Sequence, residues 1–289
     1  MKYALFLGCT VPVRALNYEL SARKVADKLG VELVDINDFS CCGFPVKSVD
    51  RDTFRLMAAK NLSLAEEKGL DICSLCSACT SVLTEVNKEL KEDENLRKKI
   101  NSELSVLGKK YEGKIKVKHF TRILYEDISL DKIRENLKLD LSKFSFAPHY
   151  GCHYLKPSEI YESFDDIENP KTLDDLIKVT GAKSVLYEDK KSCCGGGIMG
   201  IDEMTALKVA KEKLDHIKSA KADAICLICP FCSIMYEGSQ KKIEKQFEAE
   251  YNLPVLYYPQ ILGLALGISP EELGFNINRI RPREMLAKL

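Results

Sequence analysis

The sequence has no tryptophan, no excess of either charge and no long apolar run. Its 43 lysine and arginine residues balance 43 aspartate and glutamate residues, so no general basicity favours a nucleic-acid partner. No stretch approaches the roughly 18 apolar residues of a membrane-spanning helix. The N-terminal run MKYALFLGCTVPV lacks the basic region and cleavage site of a signal peptide. We therefore expect a cytoplasmic protein that begins with a buried strand.

The chain also lacks a proline- or glycine-rich linker and the ferredoxin motif CxxCxxCxxxCP. Twelve cysteines in 289 residues would fit a disulfide framework only in a small secreted domain. A chain of this size with 45% hydrophobic residues can build a core without disulfides. We therefore interpret the cysteines as reduced thiols that bind metal.

The cysteines divide the chain into two similar halves. Each half has a single cysteine, then a vicinal pair followed by glycine, then CxxCxxC; the cysteines stand at 9, 41, 42, 73, 76 and 79 and at 152, 193, 194, 226, 229 and 232. The offset is 143 residues for the single cysteine and 152 for the vicinal pair. We predict a duplicated chain with repeats at residues 1–140 and 141–289, packed together because no flexible linker separates them.

Within each half, strand patterns alternate with helix patterns. Apolar runs predict strands at 3–7, 31–36, 70–72, 184–187 and 224–225, and helical periodicity predicts helices around 22–29, 54–65 and 207–217. This alternation predicts an α/β fold of two pseudo-symmetric repeats, each a small, mainly parallel sheet flanked by helices. In such sheets, sites collect at the carboxyl ends of strands, where Cys9, Cys41 and Cys42 lie.

The vicinal pairs indicate a centre with several metal atoms. Zinc takes four ligands, typically from two CxxC pairs, whereas adjacent side chains diverge and reach one small ion poorly. They suit an iron–sulfur cluster, in which each thiolate binds a different iron. Each half has more cysteines than the four of an ordinary cubane, so we infer a larger or more irregular iron–sulfur centre in each. The alternative is zinc on four thiolates in a structural assembly protein.

One cysteine of each CxxCxxC motif is left over. Cys73 and Cys226 follow predicted strands, whereas the next two cysteines lie on the turn that opens a helix. Helix N-termini direct N–H groups toward anionic sulfur. We therefore favour the later cysteines as ligands and leave open whether the first also ligates; the favoured pairs are Cys76 with Cys79 and Cys229 with Cys232.

This doubled arrangement resembles the CCG-domain family and, over nearly the whole chain, the catalytic B subunits of heterodisulfide reductases. The segment GCHYLKPS at 151–158 is similar to the opening of that family's second half. The resemblance implies two non-cubane [4Fe-4S] clusters. It assigns one to Cys9, Cys41, Cys42, Cys76 and Cys79, and the other to Cys152, Cys193, Cys194, Cys229 and Cys232.

The resemblance also implies an activity and partners. The family cleaves the disulfide joining coenzyme M and coenzyme B into two thiols, and its partners are an iron–sulfur C subunit together with a flavin-containing A subunit. The chain itself carries no credible flavin or nicotinamide motif from which to draw electrons. The alternative is a CCG-type electron-transfer subunit of a complex that oxidises lactate, glycolate or glycerol phosphate.

Several other residues near the motifs are candidates for the site. His153 follows Cys152, and an imidazole donates a proton near neutral pH; the alternative is a structural histidine bonded to sulfur or a carbonyl. His149 is a weaker candidate for the same role. Arg14, Lys47 and Lys156 would hold an anionic substrate tail, unless they are solvated surface. The glycines of residues 195–200 satisfy GxGxxG, but we interpret them as allowing backbone N–H groups close to sulfur rather than as a dinucleotide site.

Overall fold

In the computed structural model, residues 1–289 form two parallel sheets of four strands each. The first, in the order β2-β1-β3-β4, contains β1 (Lys2–Phe6), β2 (Glu32–Asp35), β3 (Asp71–Ser74) and β4 (Val117–His119). The second, in the order β6-β5-β7-β8, contains β5 (Ser145–His149), β6 (Lys183–Ser184), β7 (Ala224–Leu227) and β8 (Val255–Tyr257). The predicted α/β fold of two similar repeats is therefore confirmed.

Helices connect and flank the strands. Those before β5 are α1 (Val11–Arg14), α2 (Leu16–Lys28), α3 (Arg51–Glu67), α4 (Ser77–Glu92), α5 (Glu94–Leu104), α6 (Phe120–Arg122) and α7 (Leu130–Asn136). Those after it are α8 (Cys152–Leu155), α9 (Thr172–Val179), α10 (Glu203–Ser219), α11 (Pro230–Ser233), α12 (Gln240–Phe247), α13 (Tyr258–Ala265) and α14 (Arg283–Leu286). None of these helices has the length and apolar character needed to cross a membrane.

Shorter helical turns complete the repeats. One 3₁₀ turn follows each vicinal cysteine pair, at Phe44–Val46 and Gly196–Ile198. Further 3₁₀ turns lie at Ser105–Leu107, Ser158–Ile160 and Phe275–Ile277, and π-helical segments at Ile123–Ile128 and Ile234–Gly238. The turns after the vicinal pairs reverse the chain into α3 and α10. Both of these helices are 17 residues long and begin at an aspartate N-cap, Asp50 or Asp202, whose carboxylate accepts backbone N–H bonds.

Strand β6 is shorter than predicted. The pattern indicated residues 184–187, but pairing stops after Ser184. The strand lies at the sheet edge, where the chain has only one neighbour. Leu186 turns into solvent with 84% exposure, while the hydroxyl of Tyr187 donates to the Pro148 carbonyl at 2.9 Å. Apolar character alone therefore did not keep these residues in the sheet.

The two sheets share one continuous hydrophobic core. The ring of Tyr18 in α2 stacks on that of Tyr257 at a centroid distance of 4.1 Å and an angle of 8°. The Tyr18 hydroxyl and His119 Nε2 both bond the Ile228 carbonyl, at 3.1 and 2.9 Å. First-repeat side chains thus hold the backbone just before Cys229. The repeat boundary at residue 140 stays a prediction.

Candidate metal centre

Ten of the twelve cysteines line one cavity of about 190 Å³. Both repeats contribute, and no charged side chain is part of the lining. The ten are the residues favoured as ligands from the sequence: Cys9, Cys41, Cys42, Cys76, Cys79, Cys152, Cys193, Cys194, Cys229 and Cys232. Their ligand role stays a prediction, but their side chains face a common space.

Strand ends bring these cysteines together. Each single cysteine follows the central strand β1 or β5, and each vicinal pair follows the edge strand β2 or β6. Cys76 and Cys229 are the N-cap residues of α4 and α11, which follow β3 and β7. Because the strands are parallel, their carboxyl ends lie at one edge of each sheet. The two edges open on the same cavity.

In each vicinal pair, one thiol has a lowered pKa because it is hydrogen-bonded to neighbouring cysteines. Hydrogen bonding with Cys41 lowers the pKa of Cys42 to about 4. Hydrogen bonding with Cys152 lowers the pKa of Cys193 to about 2. The cause in both is a neighbouring thiol that donates its proton to the thiolate. Thiolates are the form that binds metal, and the same hydrogen bonds raise the pKa of the partner thiols Cys41 and Cys152 above the ordinary value.

The two cysteine sets meet at Cys76 and Cys229. Hydrogen bonding with Cys229 raises the pKa of Cys76 well above its ordinary value, so these two thiols lie within contact of each other. They come from different repeats, at the starts of equivalent helices. A molecule in the cavity is therefore within reach of both halves at once.

Glycines bring backbone N–H groups to the vicinal thiols. The Gly43 N–H donates to Cys41 Sγ at 3.5 Å, and the Gly195 N–H donates to Cys193 Sγ at 3.3 Å. Both glycines are left-handed, with φ of +94° and +81°, a conformation that is strained for other residues. The glycine after each pair is thus needed for the turn that presents N–H to sulfur. Such donors tune iron–sulfur centres.

The donor set fits an iron–sulfur centre by its chemistry and its number. A structural zinc ion takes four ligands, whereas ten thiols line this one cavity. Thiolates are the usual ligands of iron–sulfur clusters, in which each iron takes its own thiolate.

The comparison with known proteins agrees with this geometry. The model of a cysteine-rich domain, CCG, matches residues 3–84 and 146–237. These segments contain all twelve cysteines and more than half of the chain. The chain belongs to the CCG cysteine-rich domain family. Each match covers three strands of one sheet, so the two CCG segments correspond to the two repeats.

Individual relatives match this CCG protein over its whole length. It is 38% identical over 292 residues to the B subunit of the ferredoxin/F420H2-dependent CoB–CoM heterodisulfide reductase of Methanosarcina acetivorans, with 100% of this chain and 97% of the relative covered. It is 32% identical to the 8-methylmenaquinol:fumarate reductase membrane anchor subunit of Wolinella succinogenes, with 96% and 97% covered. The predicted resemblance to the B subunits of heterodisulfide reductases is therefore confirmed.

A solved structure shares the CCG fold. The crystal structure of a hypothetical protein from Helicobacter pylori matches with a TM-score of 0.77 at 18% identity. The match covers 95% of this chain and 51% of the other chain, so this chain spans about half of that protein. At this identity the likeness establishes the architecture alone.

The two remaining cysteines of the CCG repeats lie outside the cavity. Cys73 and Cys226 are in β3 and β7 and are completely buried. Burial raises the pKa of both thiols well above the ordinary value, so both stay protonated. They pack as small apolar side chains within the sheets.

His153 is the histidine that lines the cavity. Its ring meets that of Phe44, from the other repeat, edge to face at 4.9 Å. The Tyr161 hydroxyl donates to the His153 carbonyl at 2.6 Å and fixes its backbone. Burial lowers the pKa of His153 below its ordinary value, so the ring is mainly neutral at pH 7 and has one donor and one acceptor nitrogen.

The three basic residues proposed for a substrate tail do not line the cavity. Lys47 is half-buried and forms an ion pair with Glu85. Arg14 and Lys156 are both exposed at the surface. Their contact with a substrate tail stays a prediction, and it would have to occur outside the cysteine cavity.

Sequence reasoning assigned no role to Lys213, and His149 had only a weak claim. His149 Nε2 lies 3.3 Å from Cys232 Sγ, and Lys213 Nζ lies 3.2 Å from His149 Nδ1. The helical periodicity of α10 contained a signal for Lys213. Position 213 falls on the same face as Ala210, Leu214 and Ile217 of α10, where a lysine interrupts an apolar stripe.

Proposed function

We propose that the chain is the disulfide-cleaving subunit of a heterodisulfide reductase. The substrate is a heterodisulfide of the coenzyme M–coenzyme B class, and the products are two thiols. The observation that carries this proposal is the single cavity lined by cysteines of both repeats, with Cys76 and Cys229 in contact. The full-length similarity to the B subunit of a heterodisulfide reductase supports it.

The cofactors of the proposal are two non-cubane [4Fe-4S] clusters, one in each repeat. Cys9, Cys41, Cys42, Cys76 and Cys79 would hold one, and Cys152, Cys193, Cys194, Cys229 and Cys232 would hold the other. When bound, such clusters supply single electrons and Lewis-acidic iron for sulfur ligands. The fit rests on the number of thiols that line the cavity and on their contribution from both repeats.

The reaction adds two electrons and two protons to the disulfide. The S–S bond breaks, each sulfur takes one electron and one proton, and two thiols leave. Thiols from both repeats surround the cavity, so both sulfur atoms of one substrate lie near a ligand set. The lining contains no lysine, arginine, aspartate or glutamate, so apart from the cysteines it suits an uncharged S–S bond.

His153 is the proposed proton donor. Apart from the cysteines, it is the titratable side chain of the cavity lining. The ring of Phe44 packs against its ring at the cavity wall. The imidazole takes a proton from solvent on one ring nitrogen and gives the proton of the other nitrogen to the departing sulfur, so the ring returns to its neutral form. Its half-buried position gives it access to both.

Partners supply the electrons in this proposal. An iron–sulfur C subunit together with a flavin-containing A subunit would deliver them, and the complex would work in the cytoplasm. The support is the similarity to the Methanosarcina acetivorans protein, which is one of several lettered subunits of its reductase.

An electron-transfer protein without disulfide chemistry is the second candidate. The similarity to a fumarate reductase subunit of Wolinella succinogenes favours it. Such a protein would contain the same clusters but would pass electrons to a partner rather than to a bound disulfide.

Two measurements on anaerobically purified protein test the proposal. Iron and sulfide analysis should give about eight irons per chain if both centres have four, whereas one or two zinc ions and little iron would reject both redox functions. Reduced viologen should then drive release of two thiols from the coenzyme M–coenzyme B heterodisulfide. Cluster-loaded protein that oxidises viologen only in the presence of a partner protein would support the electron-transfer role instead.

Matched cysteine variants sharpen this test. Cys194→Ala removes a thiol of the cavity lining, and Cys226→Ala removes a thiol that is buried in β7 outside it. Thiol release should be lost in the first and retained in the second. Full turnover in Cys194→Ala would contradict the assigned role of the vicinal pairs.

A further inference from the structure

A buried ammonium group lies behind the second-repeat cysteines. Lys213 is 1% exposed, and its Nζ donates to the Ser192 carbonyl at 2.7 Å but forms no ion pair with a carboxylate. A buried cation without a counter-ion is costly. Its contact with His149 places the ammonium behind Cys232, one of the proposed ligands of the second centre.

Lys213 also determines the tautomer of His149. His149 is completely buried, and each of its two ring nitrogens has one partner. An ammonium group only donates hydrogen bonds, so Nδ1 of His149 accepts from Lys213 at 3.2 Å. The ring proton is then on Nε2, which points at Cys232 Sγ at 3.3 Å. The sulfur of a proposed iron ligand thus receives an N–H bond from a ring whose other nitrogen contacts an ammonium group.

The first repeat does not have the cation. The first and last residues of α10 each lie 152 positions after those of α3. Asn61 in α3 therefore corresponds to Lys213 in α10. Both residues hold the serine before the vicinal pair. Asn61 Oδ1 accepts from the Ser40 N–H at 2.9 Å, as Lys213 donates to the Ser192 carbonyl. Both repeats therefore anchor the loop before the vicinal pair, but only the second repeat does so with a charged side chain.

The first repeat does not have the imidazole donor either. In FLGC and HYGC, Phe6 stands at the position of His149. The Phe6 ring packs edge to face on Phe39 at 5.1 Å and has no N–H to offer. The counterpart of Cys232, Cys79, therefore receives no bond from this position.

We propose that His149 and Lys213 raise the reduction potential of the iron–sulfur centre of the second repeat above that of the first. This inference rests on the proposed function, because it requires a centre in each repeat. Reduction adds negative charge to the ligand set, and an N–H donor and a nearby cation stabilise the reduced state more than the oxidised one. His149 and Lys213 are positioning residues that direct the electron to the side of the cavity where His153 lies.

Variants that copy the first repeat test this inference. His149→Phe and Lys213→Asn install the residues of the first repeat, His149→Gln keeps a side-chain N–H, and Asn61→Lys adds the cation to the first repeat. Iron content is measured first, and then each protein is titrated with reductant and followed by electron paramagnetic resonance. Wild-type protein should show two midpoint potentials.

The higher midpoint should fall in His149→Phe and in Lys213→Asn while the lower one stays in place. We expect at least a ten-fold change in the reduced-to-oxidised ratio at a given potential, which is about 59 mV for one electron. His149→Gln should stay closer to wild type, and Asn61→Lys should raise the lower midpoint.

Unchanged midpoints in His149→Phe and Lys213→Asn would overturn the inference, as would equal shifts of both midpoints. If His149→Phe does not retain iron, Lys213→Asn decides by the same criterion. Wild-type protein without iron would reject the proposed function itself, whereas iron-loaded variants with unmoved midpoints would reject only the role of His149 and Lys213.

Discussion

Alanine at Gly195 tests whether the loop after the vicinal pair holds the metal centre. Gly195 has φ of +81°, a conformation that costs other residues about 1–2 kcal/mol. A Cβ there would lie 2.7 Å from the Ala206 carbonyl oxygen in α10, and such overpacking costs about 1–3 kcal/mol. We expect Gly195→Ala to lower the free energy of unfolding by about 2–5 kcal/mol. Because the Gly195 N–H donates to Cys193, the second repeat should also lose its iron.

The assay is iron per chain with thermal unfolding, both under anaerobic conditions. Gly200→Ala is the matched control, since Gly200 lies outside the cavity lining and an added Cβ there meets nothing within 4 Å. Gly43→Ala is the first-repeat counterpart, with φ of +94° and a Cβ that would lie 3.1 Å from the Phe54 carbonyl oxygen. Gly43→Ala and Gly195→Ala should each bind about half of the wild-type iron. Full iron and an unchanged unfolding temperature in Gly195→Ala would refute the reasoning, as would an equal loss in Gly200→Ala.

Three further outcomes are expected. Cys226→Ala should keep wild-type iron while Cys232→Ala loses about half, because only Cys232 lines the cavity; equal iron in the two would contradict the ligand assignment. Burial lowers the pKa of His119 from 6.5 to about 4, so its contribution to stability is complete above pH 6.5 and is lost as the pH falls toward 4, by about 1.4 kcal/mol per pH unit. His119→Gln should flatten that decline in urea unfolding at pH 7 and 5.5, and parallel declines would speak against it. His153→Gln should slow thiol release at unchanged iron content, and unaltered turnover would remove His153 from the mechanism.

Several elements followed from local patterns in the sequence. Apolar runs located β1, β2, β3 and β7, and helical periodicity located α2, α3 and α10 within a few residues. These signals are readable because the side chains of one helix face or strand are near neighbours in sequence. The prediction was wrong for β6, since pairing at a sheet edge depends on the neighbouring strand and not on apolar character alone.

The sequence by itself determined the duplication, the parallel α/β plan and the family, because cysteine spacing and hydrophobic periodicity are short-range properties of the chain. Only the tertiary structure decided that both cysteine sets open on one cavity and that Cys76 meets Cys229. It also decided that Lys213 lies behind His149, a contact between residues 64 positions apart. Such contacts result from the packing of whole sheets and helices, and no local pattern records which side chains that packing brings together.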